Sequence, residues 1–277
     1  MTGRQPDEWL LRADVQRHVF LSAHFDDVAF SCGGTVARLA AADHRPVVVV
    51  VFAAAPDDAV GLSAFARAHD AMWGLGGDPA SSNRGRQAEE LAAAKILGAE
   101  LRTLPFRDAI YRSDRYEGNE RLFGQVHPDE RELPAVIAAK VIDLVGPLEG
   151  TRCYVPLAVG RHVDHQLTFS AGQVLAQQGG DVWCYEDLPY SLRSDELRSR
   201  LAEAASEIGE TATATVEPVW QARMDAVLAH QSQLASAFGY VDVAPTATAI
   251  TSALARVAAR DGRDGVRTER FWQVRPR

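Results

Sequence analysis

The stretch HVFLSAHFDDVAFSCGGTVARLAAADHRPVVVVVFAAA, residues 18–55, decides the fold class. Residues 18–23 form a short apolar run, and residues 46–55 form a continuous β-branched run, which is typical of a strand covered on both faces. Between them, the Ala-rich residues 33–43 are compatible with a helix. The order of strand, helix and strand predicts a βαβ unit with a right-handed crossover and two parallel core strands.

The same alternation continues along the chain. Three more strands are predicted: the strand-like residues 100–105, and short strands at residues 152–156 and 182–185. Helical patterns between these strands predict helices at residues 86–97 (closed by Gly98), 133–145 and 165–176. Beyond residue 191 the pattern is mainly helical, with the clearest helix at 220–237 and a closing strand at 267–274.

These elements predict an α/β fold of three layers around a mostly parallel, twisted, Rossmann-like sheet. The length of 277 residues suits one large domain. We therefore expect a single domain spanning residues 1–277, in which residues 191–277 form a mainly helical C-terminal extension.

Composition excludes several classes of function. The formal net charge is -8, and no dense block of Lys and Arg is present, so binding to nucleic acid or to an anionic membrane is disfavoured. The longest apolar run, residues 47–56, is too short to span a bilayer, and residues 1–17 carry charges throughout. Three widely spaced cysteines fit reduced thiols better than disulfides or a cysteine zinc site. We expect a cytoplasmic protein without membrane insertion.

A first polar cluster follows the first predicted strand. His24, Asp26 and Asp27 lie just beyond its carboxyl end, where open parallel sheets place their ligand crevice. One imidazole and one carboxylate can supply a nitrogen and an oxygen ligand to a metal, and the second carboxylate is then available for proton transfer.

A second cluster, His162-Val163-Asp164-His165, follows the predicted strand at 152–156 after a short turn. It also lies at the carboxyl end of a strand, so the two clusters are predicted to converge. A catalytic zinc takes three protein ligands and keeps one position open for water. Two residues of the first cluster and one of the second satisfy that number without cysteine.

With these motifs the chain resembles the PIG-L/LmbE-like de-N-acetylase family. The family signature, His-Pro-Asp-Asp-Glu followed later by His-Pro-Asp-His, is represented by residues 24–28 and 162–165. Two further stretches are similar to the family: Arg86-x-x-Glu89 with the Ala-rich run to Gly98, and His230-x-Ser232-Gln233. Three family positions differ, with Phe25, Val28 and Val163 in place of proline, glutamate and proline.

The resemblance implies roles for the site residues. It implies that His24, Asp27 and His165 bind Zn²⁺, with Fe²⁺ or another divalent metal as alternatives, and that Asp26 is the general base. His162 is then expected to stabilise the oxyanion rather than to bind the metal. A carboxylate beside a metal site can complete the deprotonation of water at neutral pH.

Other residues are assigned more loosely. Asp164 is expected either to orient His162 or another imidazole, or to cap the following helix. The resemblance implies that Arg86 and Asp108 contact substrate, whereas an ordinary solvated helix pair is the alternative for Arg86. Glu186 and Asp187 follow the strand at 182–185 and are candidates for the same crevice. Residues 106–130 lack a sustained period, which indicates a functional loop or lid.

The predicted function is that of a zinc-dependent hydrolase that removes an acetyl or other acyl group from an N-acyl amino sugar. The partner is a small molecule, and a homo-oligomer is compatible with the sequence. One alternative is a non-haem Fe(II) oxygenase with a two-His, one-carboxylate site. The other is a non-catalytic nucleotide-binding module, suggested by Gly33-Gly34 at the start of a helix, although the G-x-G-x-x-G spacing is absent.

Overall fold

One seven-stranded sheet forms the centre of the structure, a computed structural model that describes residues 7–56, 61–76, 78–112, 114–262 and 265–276. The strand order is β3-β2-β1-β4-β5-β7-β6. The strands are β1 (Arg17–Ser22), β2 (Val47–Val50), β3 (Glu100–Thr103), β4 (Thr151–Pro156), β5 (Asp181–Tyr185), β6 (Ile208–Thr215) and β7 (Thr268–Val274).

The five strands predicted before residue 191 are confirmed, and β1 to β5 are parallel. The central strands are buried on both faces, as β4 shows with all six residues buried. This two-sided burial explains why their sequences read as continuous apolar runs. The predicted closing strand is also confirmed as β7, which pairs antiparallel with β5.

Helices cover both faces of this sheet and complete the predicted three layers. One face packs β1 and β4 against α5, α6 and α7, and the other packs β1 and β2 against α1, α3 and α8. The helices are α1 (Asp27–Ala41), α2 (Ala64–Trp73), α3 (Pro79–Leu97), α4 (Asn119–Leu122), α5 (Leu133–Val145), α6 (Val163–Gln177), α7 (Ser194–Glu203), α8 (Trp220–Ala229), α9 (Gln231–Gly239) and α10 (Ala247–Ala258).

The C-terminal segment differs from the prediction in two places. β6 was not predicted, and it pairs antiparallel with β7 at the edge of the sheet. The helix predicted at 220–237 is two helices, α8 and α9, separated at His230. Strands and helices of this segment therefore complete both the sheet and one wall of the candidate site.

The glycine pair in α1 is explained by packing. A Cβ atom on Gly34 would lie 2.7 Å from the Val216 side chain, which is closer than real contacts allow. The backbone N–H groups of Gly34 and Thr35 donate to the Glu269 carboxylate at 3.0 and 2.7 Å. Because a carboxylate already occupies these donors, the structure gives no support to a nucleotide phosphate site here.

Within the described residues, no helix is both long and apolar enough to cross a membrane.

Candidate active site

The two predicted clusters meet at the carboxyl ends of adjacent strands. β1 and β4 pair directly, with Phe20 opposite Tyr154. His24 follows β1, and His165 lies in the first turn of α6 after β4. The His24 and His165 ring centroids are 5.4 Å apart, so parallel pairing brings together residues about 140 positions apart in the chain.

The predicted metal ligands form a connected group. His24 Nδ1 lies 3.6 Å from Asp27 Oδ2, and His165 Nε2 lies 3.3 Å from Asp27 Oδ1. Asp27 is the first residue of α1, and its Oδ2 also accepts the backbone N–H of His24 at 2.6 Å. Burial acts to raise the pKa of Asp27, but the His165 and His24 imidazoles outweigh it and lower that pKa.

One buried nitrogen in this group suits a metal ion. His165 Nδ1 is hydrogen-bonded to Asp187 Oδ1 at 2.7 Å, whereas His165 Nε2 is buried and lies 3.3 Å from Asp27 Oδ1. Metal-binding histidines ordinarily donate their other ring nitrogen to a carboxylate, so the contact with Asp187 is compatible with such a role. Burial would lower the pKa of His165, but Asp27 and Asp187 raise it well above its ordinary value.

The residues can also be grouped around His162. Donor atoms of His24, His162 and His165 all lie within 4.8 Å of one another, as do those of His24, Asp108, His162 and Asp164. His162 belongs to both groups, although the sequence assigned it a non-ligating role. Its Nδ1 accepts the backbone N–H of Asp164 at 3.2 Å, so Nε2 is the nitrogen left for a substrate or a metal. Burial and His24 hold the pKa of His162 well below its ordinary value.

Asp26 has a strained backbone. Its φ of 122° is rare for a residue with a side chain, and such conformations cost on the order of 1–3 kcal/mol. The residue is 9% exposed and lines the cavity described below. Burial, followed by repulsion from Asp27, raises the pKa of Asp26 well above its ordinary value.

Asp164 contacts the His24 imidazole and does not cap the helix. The N-cap of α6 is His162, and Asp164 lies in the first turn, so the capping alternative is wrong. Asp164 Oδ2 is 2.9 Å from His24 Nε2, and Oδ1 is 2.6 Å from Arg112 Nη1. Burial acts to raise the pKa of Asp164, but Arg112 and His24 outweigh it and lower that pKa. The Asp164 side chain thus contacts His24, while its backbone N–H donates to His162.

Arg86 and Asp108 lie together at the cavity wall. Arg86 Nη1 is 3.6 Å from Asp108 Oδ2, and Asp108 Oδ2 is 3.8 Å from His24 Nε2. The Arg86 guanidinium lies 4.1 Å from the centre of the Trp73 ring. Arg86 is 6% exposed, so the alternative of a solvated helix pair is wrong for this residue.

The two remaining family-like stretches contact each other. Arg86 Nε donates to Gln233 Oε1 at 2.9 Å, and Ser232 Oγ donates to Glu89 Oε2 at 2.6 Å. Ser232 N–H also donates to Glu89 Oε1 at 2.9 Å. Helices α3 and α9 are thereby joined beside the site, and this pairing explains why both segments carry polar side chains at these positions.

These side chains line a cavity of about 570 Å³, a size suited to a substrate larger than one small group. Its polar floor includes His24, Asp26, Asp27 and His162. Its walls are rich in aromatic and other apolar side chains, contributed by α2, α4, α9 and the loop after β5: Phe65, Met72, Trp73, Leu122, Phe123, Tyr190 and Tyr240.

The predicted loop is anchored beside the site, with residue 113 outside its described part. Arg112 pairs with Glu130 at 2.8 Å, and Tyr116 Oη donates to Glu130 Oε2 at 2.7 Å. Whether this loop acts as a lid stays a prediction. Arg112 was missed because an arginine in an aperiodic loop gives no local signal of the Asp164 that it contacts.

The family substitutions leave the polar groups of the site in place. Phe25 packs with Val50 and Ala53, and Val28 is buried in the apolar cluster under α1. Val163 is also buried, against the apolar cluster of the loop. At these three positions apolar packing replaces the side chains of the family motif.

Comparisons with known proteins agree with this architecture. Residues 19–176, more than half of the chain, match the family of GlcNAc-PI de-N-acetylases, PIG-L. A 2'-N-acetylparomamine deacetylase from Niallia circulans is 29% identical over 243 residues, covering 83% of this chain and 85% of that protein.

Two solved structures are similar over nearly their whole length. The zinc-inhibited form of a teicoplanin deacetylase has a TM-score of 0.76 at 25% identity, covering 93% of this chain and 97% of that chain. The A40926 pseudoaglycone deacetylase has a TM-score of 0.74 at 26% identity, covering 94% and 98%. The chain therefore belongs to the GlcNAc-PI de-N-acetylase family and is an N-deacetylase.

Proposed function

We propose that this enzyme hydrolyses the N-acetyl or another N-acyl group of an amino sugar that is part of a larger conjugate. The carrying observation is the arrangement of two histidines and two aspartates at the floor of a cavity with aromatic walls. The relatives that act on N-acetylparomamine and on the A40926 pseudoaglycone support an amino-sugar substrate.

We propose His24, Asp27 and His165 as the residues that hold a divalent cation, with zinc as the first candidate. The buried His165 Nε2, which lies 3.3 Å from the Asp27 carboxylate, supports this set. A bound divalent cation would supply Lewis-acid chemistry, lowering the pKa of water and polarising the amide carbonyl. Because one relative was crystallised in a zinc-inhibited form, metal dependence is best measured as a titration from limiting zinc to excess.

Asp26 moves the protons in this proposal. Its carboxylate takes a proton from the attacking water while the water oxygen bonds to the acyl carbon. When the carbon–nitrogen bond breaks, Asp26 returns that proton to the leaving amine nitrogen. The raised pKa of Asp26 makes its carboxylate a stronger base towards the attacking water.

His162 stabilises the negative charge that develops on the amide oxygen. Since its Nδ1 accepts the Asp164 backbone N–H, the proton of the neutral ring lies on Nε2. The lowered pKa keeps the ring neutral, so Nε2–H is a donor that persists across the working pH range. One such donor contributes about 10²- to 10³-fold in kcat.

The rest of the cavity favours a substrate with an apolar or aromatic part next to the sugar. Phe123 and Tyr240 stack with ring centroids 5.2 Å apart, and Tyr190 packs edge-on to Tyr240 at 5.5 Å. Trp73 also lines the cavity, and the Arg86 guanidinium lies over its ring. Aromatic side chains of this kind bind flat apolar groups and the apolar faces of sugar rings.

The test measures acetate released from N-acetylparomamine, from an aryl N-acetylglucosaminide and from free N-acetylglucosamine. Asp26→Asn is expected to lower kcat by about 10²- to 10⁴-fold while leaving the bound metal unchanged. Asp143→Asn, at a side chain that is 70% exposed, is the matched control. Equal rates for Asp26→Asn and this control would exclude Asp26 as the base.

A further inference from the structure

The strained conformation of Asp26 is held at both of its backbone polar groups. Its carbonyl accepts the N–H of Phe30 at 2.9 Å, the first hydrogen bond of α1. Its N–H donates to Glu90 Oε2 at 3.0 Å. The first contact comes from the following helix, but the second comes from a side chain on α3, 64 residues away in the chain.

Glu90 is itself held in a closed environment. It is 2% exposed, and His230 Nε2 lies 3.4 Å from its Oε2. His230 is fully buried at the junction between α8 and α9, where its φ and ψ of -84° and 50° interrupt the helix. Its ring packs edge-on against Phe30 at 5.5 Å.

Neither Glu90 nor His230 lines the cavity, and the proposed chemistry uses neither. Burying an acid beside an imidazole costs free energy, because burial penalises the charged form of both groups. The Glu90 carboxylate nevertheless accepts the backbone N–H of Asp26, the proposed base. This contact with the Asp26 backbone distinguishes Glu90 from a buried acid that has only a structural role.

We infer that Glu90, packed beside His230, is a positioning residue that fixes the direction of the Asp26 carboxylate. Without an acceptor at this N–H, Asp26 can relax from φ 122° to an ordinary conformation, which turns its side chain away from the attacking water. Displacements of about 1 Å at a catalytic group can lower rates about 10²-fold. The inference rests on the proposed role of Asp26 as base.

The test compares two variants of similar shape. Glu90→Gln keeps an oxygen acceptor, whereas Glu90→Met removes it. We expect Glu90→Gln to retain kcat within about fivefold and Glu90→Met to lose about 10- to 100-fold in kcat with KM changed less than about threefold. Co²⁺ absorption, which reports the metal ligands and not turnover, is expected to show the same binding stoichiometry in both. Equal kcat in the two variants, or equal losses that follow lost Co²⁺ binding, would overturn the inference.

A double-variant cycle separates this inference from the proposed function. If Asp26 is the base and Glu90 acts through it, Glu90→Met adds less than about twofold to the loss in Asp26→Asn. An additive effect overturns the positioning role, whereas an active Asp26→Asn enzyme overturns the proposed base instead. Should Glu90→Met fail to fold, His230→Asn decides: kcat is expected to fall about tenfold, and an unchanged kcat rejects the inference.

Discussion

Replacing Glu90 by glutamine should stabilise the metal-free protein at alkaline pH and not at acidic pH. Burial is the main cause that raises the pKa of Glu90, from 4.5 to about 8, and the side chain is 2% exposed. Between these two pKa values the folded chain keeps a proton that the unfolded chain has lost. The contribution of this group to stability is therefore complete below about pH 4.5 and is lost as the pH rises through about 8.

The magnitude follows from the width of that window. From about pH 5.5 to about pH 8, Glu90 binds on average about 0.9 more proton in the folded state than in the unfolded state. A difference of one whole proton changes the free energy of unfolding by about 1.4 kcal/mol per pH unit. The wild-type free energy of unfolding is thus expected to fall by about 3 kcal/mol more than that of Glu90→Gln over this range. A glutamine cannot titrate, so its curve lacks this slope.

The assay is urea unfolding at both pH values with chelator present, so that metal binding does not contribute. Glu149→Gln, at an exposed position, controls for the loss of one carboxylate. At each pH, the free energy of unfolding of Glu90→Gln is compared with that of the wild type. The decisive quantity is the change in this difference between about pH 5.5 and about pH 8. If that quantity is near zero, the carboxyl titrates normally and the argument from burial is refuted.

Three further predictions concern other parts of the site and fold. Asp187→Asn should weaken zinc binding about 10- to 100-fold in a chelator competition, because Asp187 orients His165; unchanged affinity would contradict that role. Gly34→Ala should lower the free energy of unfolding by about 1–3 kcal/mol in urea, while Gly239→Ala, with open space at its Cβ, should have little effect. Tyr240→Ala should raise KM about tenfold for an aryl N-acetylglucosaminide and much less for free N-acetylglucosamine, and equal changes would show that Tyr240 does not bind the aromatic part of the substrate.

The central parallel strands could be predicted because burial on both faces leaves apolar runs in their sequences, whereas the edge strand β3, ELRT, is not fully buried and was indicated by the helix that precedes it. β6 could not, because it lies at the sheet edge and its sequence IGETATAT is only partly buried. α1 begins at Asp27, six residues before the predicted start, and contains an irregular residue, Cys32, with φ -139°. The polar residues after β1 resemble a loop sequence, but Asp27 is already the first residue of α1.

The residues of the candidate site also differ in how far the sequence predicts them. His24, Asp26, Asp27 and the residues 162–165 were predicted to converge because each cluster follows an apolar strand. The residues that orient them gave weaker signals, since Asp187 lies one strand further along and Arg112 lies in the loop. Such partners depend on tertiary contacts, which no local pattern encodes.

The break at His230 allows polar side chains of α9 to pair with polar side chains of α3. An uninterrupted helix over 220–237 would carry Ser232 and Gln233 along the axis of α8, whereas the break redirects the chain as α9. Three pairs then join α9 and its N-terminal junction to α3: Gln233 with Arg86, Ser232 with Glu89, and His230 with Glu90. The first pair supports a residue of the cavity wall, and the third supports the backbone of Asp26 through Glu90. The C-terminal helices therefore contact the proposed base indirectly, through α3. A substitution that makes α8 and α9 one continuous helix should alter the orientation of Asp26 without contacting any proposed metal ligand.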